Sequence, residues 1–205
     1  MFVKSTTGQS SDQNDFDPYA MIADADAANR RAAASALSGD KSALGVLSER
    51  LCDETSPEVR EAVVQALIGI GSAKVVDLFI ECLRGDNATF RREAVFALQQ
   101  MPKKAGKKIR KLMADADDDV RIMAVDVLQL LTVSDAAAWL RELLATETSP
   151  NVIGVAVDRL SEIGGPEDIP ALEAAKQRLA HDAYVQFAAD HAIARIKALE
   201  AEGPL

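Results

Sequence analysis

Val59-Arg60-Glu61-Ala62-Val63-Val64-Gln65-Ala66-Leu67 and Val120-Arg121-Ile122-Met123-Ala124-Val125-Asp126-Val127-Leu128 are two copies of one pattern, and they decide the fold. In each, apolar residues stand at offsets 0, 4, 5 and 8, the spacing of one face of an α-helix. Outward from these copies the leading position recurs as Asn29, Val59, Phe90, Val120, Val152 and Val185, at intervals of 30, 31, 30, 32 and 33. Offset four is Ala33, Val63, Ala94, Ala124, Ala156 and Ala189; offset eight is Leu37, Leu67, Leu98, Leu128, Leu160 and Ile193. Offset five (Ala34, Val64, Val95, Val125, Val157) and offset eleven (Ile70, Met101, Leu131, Ile163, Ile196) extend the stripe. A fixed period of this length marks an array in which each unit covers its apolar face with its neighbours.

Three residues before the leading position stand Ser56, Asn87, Asp117, Ser149 and Asp182, whose short oxygens suit the unpaired amides of a helix start. A second apolar stripe follows in the first five units: Leu44, Leu47 and Leu51; Val75, Leu78, Phe79 and Leu83; Ile109, Leu112 and Met113; Trp139, Leu140, Leu143 and Leu144; Ile169, Leu172 and Leu179. Breaks at Ser38-Gly39-Asp40, Gly71-Ser72, Pro102, Thr132 to Ser134 and Gly164-Gly165-Pro166 separate the two stripes. The expectation is an all-α solenoid of about six two-helix repeats starting near 26, 56, 87, 117, 149 and 182, over residues 21–205, after a loosely held tail at 1–20 rich in Ser, Thr, Gln, Asp and Asn.

The Val-Arg-x-x-Ala/Val-Val-x-x-Leu core resembles the HEAT repeat, in particular the short form of phycobilisome-lyase-like proteins, over residues 25–200. The resemblance implies a superhelix whose second helices line the concave side. Asn29 and Gln186 depart from the pattern, and the sixth repeat shows no second helix; terminal repeats tolerate such changes because their outer faces meet water.

Apolar residues make up 48% of the 205, but aromatic residues only 4%, so the core is built by many thin helices approaching closely. A formal charge of -9 opposes general binding to nucleic acid, whose phosphates require an excess of Lys and Arg. No run approaches the roughly 20 apolar residues of a membrane-spanning helix, and residues 1–20 lack the apolar run of a secretory signal. A cytoplasmic protein without membrane insertion is expected.

Residues that could carry chemistry mostly have a structural reading. His181 and His191 stand ten apart, not at the i, i+4 spacing that puts two imidazoles on one metal. Cys52 and Cys82 share one column with Met113 and Leu143, which reads as a pair of small buried hydrophobes kept as thiols. Asp117, Asp118 and Asp119 sit at a helix start, where carboxylates complement the dipole. Arg30, Arg60, Arg91 and Arg121 form a column that reads as pairing with carboxylates such as Glu58, Asp117 or Asp118, or else as a ladder for an acidic ligand. No catalytic, cofactor-binding or metal-binding residues are expected.

The exception is Lys103, Lys104, Lys107, Lys108, Arg110 and Lys111, six cations in nine residues of an acidic chain. Lys104, Lys107, Lys108 and Lys111 fall on one helix face opposite Ala105, Ile109, Leu112 and Met113. Like charges one turn apart cost a few tenths of a kcal/mol per pair. The expected function is a non-catalytic adaptor or scaffold that holds a protein or peptide, with acidic character, along the concave face at these six residues. The family resemblance implies an alternative, a bilin lyase-like subunit or chaperone. A DNA-binding protein of the HEAT-like glycosylase kind fits less well, because only one repeat is basic.

Overall fold

The helices that open the first, third and sixth repeats begin at Asp26, Asn87 and Asp182, which accept their free amides. The described breaks hold Gly39, Gly71, Pro102 and Gly164, residues that stop a helix. The computed structural model describes residues 16–128 and 135–202. Its α-helices are α1 (Pro18–Met21), α2 (Ala27–Ala36), α3 (Leu44–Asp53), α4 (Pro57–Ile70), α5 (Ala73–Arg84), α6 (Ala88–Gln99), α7 (Pro102–Leu112), α8 (Asp118–Leu128), α9 (Ala136–Thr146), α10 (Pro150–Ile163), α11 (Ile169–Arg178) and α12 (Ala183–Glu202). Short 3₁₀ turns at Lys41–Ala43 and Pro166–Asp168 lead into α3 and α11. No strand occurs among the described residues.

The caps are of two kinds. Asn87 accepts from the amides of Thr89 and Phe90, and Asp182 accepts from that of Val185. Ser56 and Ser149 also stand at N-caps but make no such bond. There a glutamate two residues earlier fixes the segment leading into the helix: Glu54 accepts from the amides of Thr55 and Ser56, and Glu147 from those of Thr148 and Ser149. Proline at the first helical position of α4, α7 and α10 has no amide to satisfy there. Gly71 ends α4 at φ 51°, a left-handed cap that favours glycine.

α2, α4, α6, α8, α10 and α12 follow one another as one layer, and α3, α5, α7, α9 and α11 pack against it as the second. This is the two-layered α-solenoid. The periodic columns form its core: all six residues at offset four are fully buried, as are Leu67, Leu98, Leu128 and Leu160 at offset eight. Burying one such leucine contributes roughly 1.5–3 kcal/mol. The offset-eleven column is less uniform, because Ile163 ends α10 beside Gly164 and stays 38% exposed. Leu131 and the break at 132–134 lie outside the described residues. So do residues 1–15 of the segment expected as a tail; beyond them Asp17 caps the helical turn α1, and the Tyr19 hydroxyl donates to Asp40 at 2.6 Å.

Candidate functional site

The four arginines of the column each pair with a carboxylate, and of the expected partners only Asp118 is among them. Arg30 grips Glu54 with Nε and Nη2 at 2.8 and 2.9 Å, and Arg121 grips Glu147 in the same way at 2.7 and 3.1 Å. Arg60 pairs with Glu93, and Arg91 with Asp119. Of the three expected carboxylates, Asp118 pairs with Arg121, whereas Glu58 accepts from the Ser56 hydroxyl and Asp117 from the amide of Asp119. The arginines also close backbone carbonyls left open in the preceding connection: Arg60 donates to Leu51 and Glu54, Arg30 to Asp24 and Ala25, and Arg121 to Asp115 and Ala116. In the fifth repeat the column holds Ile153, and Arg178 reaches the equivalent carbonyls of Leu144 and Glu147 from α11. Gln186 does the same for Lys176 and Leu179 in the sixth. Side chains already committed to the backbone make poor ligand contacts.

Glu54 and Glu147 were not singled out by the sequence reading, although the tetrapeptide Glu-Thr-Ser-Pro occurs twice, at 54–57 and 147–150. Both are nearly buried. The Arg30 guanidinium holds the Glu54 carboxyl down at about 2, against the opposing effect of burial. For Glu147 burial pulls upward, but Arg121 and the Ser149 and Thr148 amides outweigh it and keep the carboxyl below its ordinary value.

The cysteines divide. Cys82 is partly buried, and desolvation pushes its thiol up to about 11, helped by neighbouring Cys52. Cys52 is exposed, contrary to the expected pair of buried thiols. Its helix, α3, is the first of the second layer and has a second-layer neighbour on one side only. His181 and His191 are exposed, the latter stacked on Phe187 at 6.4 Å, and no cluster among the described residues could hold a metal ion.

The six cations of α7 also divide. Ala105, Gly106, Ile109 and Leu112 bury the other side of the helix, so all six side chains point outward, but three are engaged across repeats. Lys104 donates to the carbonyl of Gly71 at the end of α4, Lys108 pairs with Asp77 of α5, and Arg110 grips Glu142 of α9 at 2.7 and 2.8 Å. Lys103, Lys107 and Lys111 have no acidic partner among the described residues. They stand at i, i+4 and i+8, a stripe roughly 12 Å long at 1.5 Å per residue.

Lys107, Arg110 and Lys111 line a concavity of about 910 Å³. It lies between α7 and α9 of the second layer and reaches Asp115 and Arg121 around the start of α8. Met113, Ala114, Trp139 and Leu143 supply its apolar lining. The Arg110 guanidinium lies 5.8 Å from the centroid of the Trp139 ring, within cation–π range. Among the carboxylates of the concavity, Asp115, Glu142 and Glu147 are each held by an arginine, whereas Asp135 also lines it and has no arginine partner among the described residues. Trp139 and Glu142 were not read as site residues from sequence: a tryptophan at helical spacing looks like core, which most of its surface is.

Models of HEAT repeats match residues 19–99 and 107–194. The uncharacterized phycocyanin operon protein Z of Pseudanabaena tenuis (strain PCC 7409) is 28% identical over 156 residues, covering 72% of this chain and 77% of that protein. Among solved structures, an engineered protein aligns with a TM-score of 0.42 and 20% identity, covering 88% of this chain and 95% of that one. The complex of CpcE and CpcF of phycocyanin lyase from Nostoc sp. PCC7120 aligns with a TM-score of 0.39 and 18% identity, covering 97% of this chain and 100% of that one. No described helix is long and apolar enough to cross a membrane.

Proposed function

The chain belongs to the HEAT-repeat family, and from that premise we propose that it is a non-catalytic adaptor of the cytoplasm that holds a protein partner in the concavity between α7 and α9. The observation that carries the reading is the coincidence of two independent features. The concavity has an apolar lining from Met113, Ala114, Trp139 and Leu143, and it is also lined by two lysines, Lys107 and Lys111, that have no acidic partner among the described residues. Arg31, Lys74 and Arg92 also lack an acidic partner among the described residues, but each stands apart from the others, whereas Lys107 and Lys111 stand on adjacent turns of one helix and line one concavity. Lys107 and Lys111 thus offer two uncommitted ammonium groups to a carboxylate, whereas the other cations of the lining, Arg110 and Arg121, are already paired. Such a patch orients an acidic partner and speeds its arrival.

The test is capture from native lysate with the wild-type chain and with the Lys107→Glu, Lys111→Glu double variant, at about 50 and 300 mM salt. A partner kept by the wild type at low salt, released at high salt and absent from the double variant supports the reading. Equal capture by both proteins refutes it. Similarity to the phycocyanin operon protein favours a second reading, a bilin lyase-like subunit. Bilin absorbance retained by the purified protein would support that one.

A further inference from the structure

We infer that the α7–α9 concavity is a composite receptor for an acidic peptide segment carrying a large apolar side chain, and that Glu142 occupies it in the partner's absence as an internal stand-in for one ligand carboxylate. The inference rests on the adaptor reading and adds to it the chemistry of the occupant and the role of Glu142.

Three kinds of surface meet in one place. Lys107 and Lys111 stand one helical turn apart and have no acidic partner among the described residues. Arg110 lies between them in sequence, leans toward the Trp139 ring and is already gripped by the carboxylate of Glu142. Met113 and Leu143, both nearly buried, leave an apolar edge on the wall.

A purely electrostatic patch would need none of the last two. The Arg110–Glu142 pair is about half exposed on both sides, 51% and 58%. Such a pair is held weakly and exchanges readily for another carboxylate of equal geometry. The indole beneath keeps the guanidinium in place during that exchange, because the stacked face and the donating edge of the fork are used independently. An incoming segment therefore gives two carboxylates to the lysines and a third to Arg110, displacing Glu142. Its apolar side chain covers Met113 and Leu143. The shared requirement for charge and bulk is what separates a true partner from any polyanion, which could satisfy the lysines alone.

Trp139 is the single tryptophan of the chain and stands at the site, so its fluorescence reports occupancy directly. The full chain is titrated with an eight-residue oligoglutamate, with the same peptide carrying one central leucine, and with an oligoglutamine carrying that leucine. The leucine-bearing acidic peptide is expected to bind roughly tenfold more tightly than oligoglutamate, with a saturable change in Trp139 emission. Oligoglutamine should not bind. Glu142→Gln should tighten the acidic peptides about two- to fivefold. Glu49→Gln, an equal charge change on α3, should have a smaller effect. The lysine double variant should lose at least about tenfold; Lys107→Gln with Lys111→Gln serves if charge reversal perturbs the circular dichroism melt.

If oligoglutamate binds through the lysines while leucine adds nothing and Glu142→Gln matches Glu49→Gln, the composite receptor is refuted and the acidic-partner reading survives. Should neither acidic peptide bind, the composite receptor is refuted as well, and the lysate comparison alone decides the adaptor reading.

Discussion

Replacing Glu54 by glutamine should weaken the fold in a way that depends on pH with a defined sign. Its carboxylate is almost fully buried and accepts four hydrogen bonds, two from Arg30 and two from the amides of Thr55 and Ser56, with the Arg50 guanidinium 3.3 Å away as a further ion pair. In the folded chain its pKa is about 2, against an ordinary 4.5. At about 1.4 kcal/mol per pH unit, that difference makes the ionised carboxylate worth at most about 3 kcal/mol of stability. The figure agrees with the roughly 3–5 kcal/mol typical of breaking a buried pair. Because the folded value is depressed, the contribution is complete above about pH 4.5 and is lost as pH falls towards about 2. Urea denaturation of wild type and Glu54→Gln should therefore differ by roughly 3 kcal/mol at pH 7, and by roughly half of that at pH 3. An equal difference at both pH values would show that glutamine costs through shape alone, and that the Arg30 contact is not what depresses the carboxyl.

Leu128→Ala should cost about 2–5 kcal/mol by denaturation, since the side chain is fully buried; a loss below about 1 kcal/mol would contradict its place in the core. Cys52 should react with a thiol reagent in the native protein, whereas Cys82, with its thiol near 11, should react rapidly only in denaturant; equal native rates would contradict the difference in burial. Lys104→Glu should lower the melting temperature, because it removes a donor from the α4 carboxyl end and places an anion at the negative pole of that helix. Lys111→Glu should leave the melting temperature nearly unchanged, and the reverse order would undo the division of the six cations proposed above.

The fold was legible in the sequence because its determinants are local and repeated. A stripe at offsets 0, 4 and 8 states which face of a helix is buried without reference to what covers it, and in a solenoid the cover is always the neighbouring copy. The helix starts near 26, 87 and 182 follow from the capping side chains of Asp26, Asn87 and Asp182, and those near 56 and 149 from a proline at the first helical position. Exceptions arise where the neighbour is missing or the helix stops. Cys52 belongs to the same column as Met113 but is exposed on the first helix of its layer, and Ile163 falls at the last residue of α10.

The site was legible only by half, for a reason that lies in what a period can and cannot specify. Six cations on one helix are visible as soon as the helix is recognised, but whether a cation is free depends on the side chain across the groove, one repeat away. The pairs Lys108 with Asp77, Arg110 with Glu142 and Arg84 with Asp115 span 31, 32 and 31 residues, so a repeat-length search would have found them as candidates. It would not have ranked them, since Glu142 stands one repeat beyond both Arg110 and Lys111. The folded chain gives the glutamate to Arg110 and leaves Lys111 without an acidic partner among the described residues, and Trp139 of α9 lines the same concavity. A basic run that reads as a uniform face is thus three positions, Lys104, Lys108 and Arg110, that hold repeats together, interspersed with three, Lys103, Lys107 and Lys111, that have no acidic partner among the described residues.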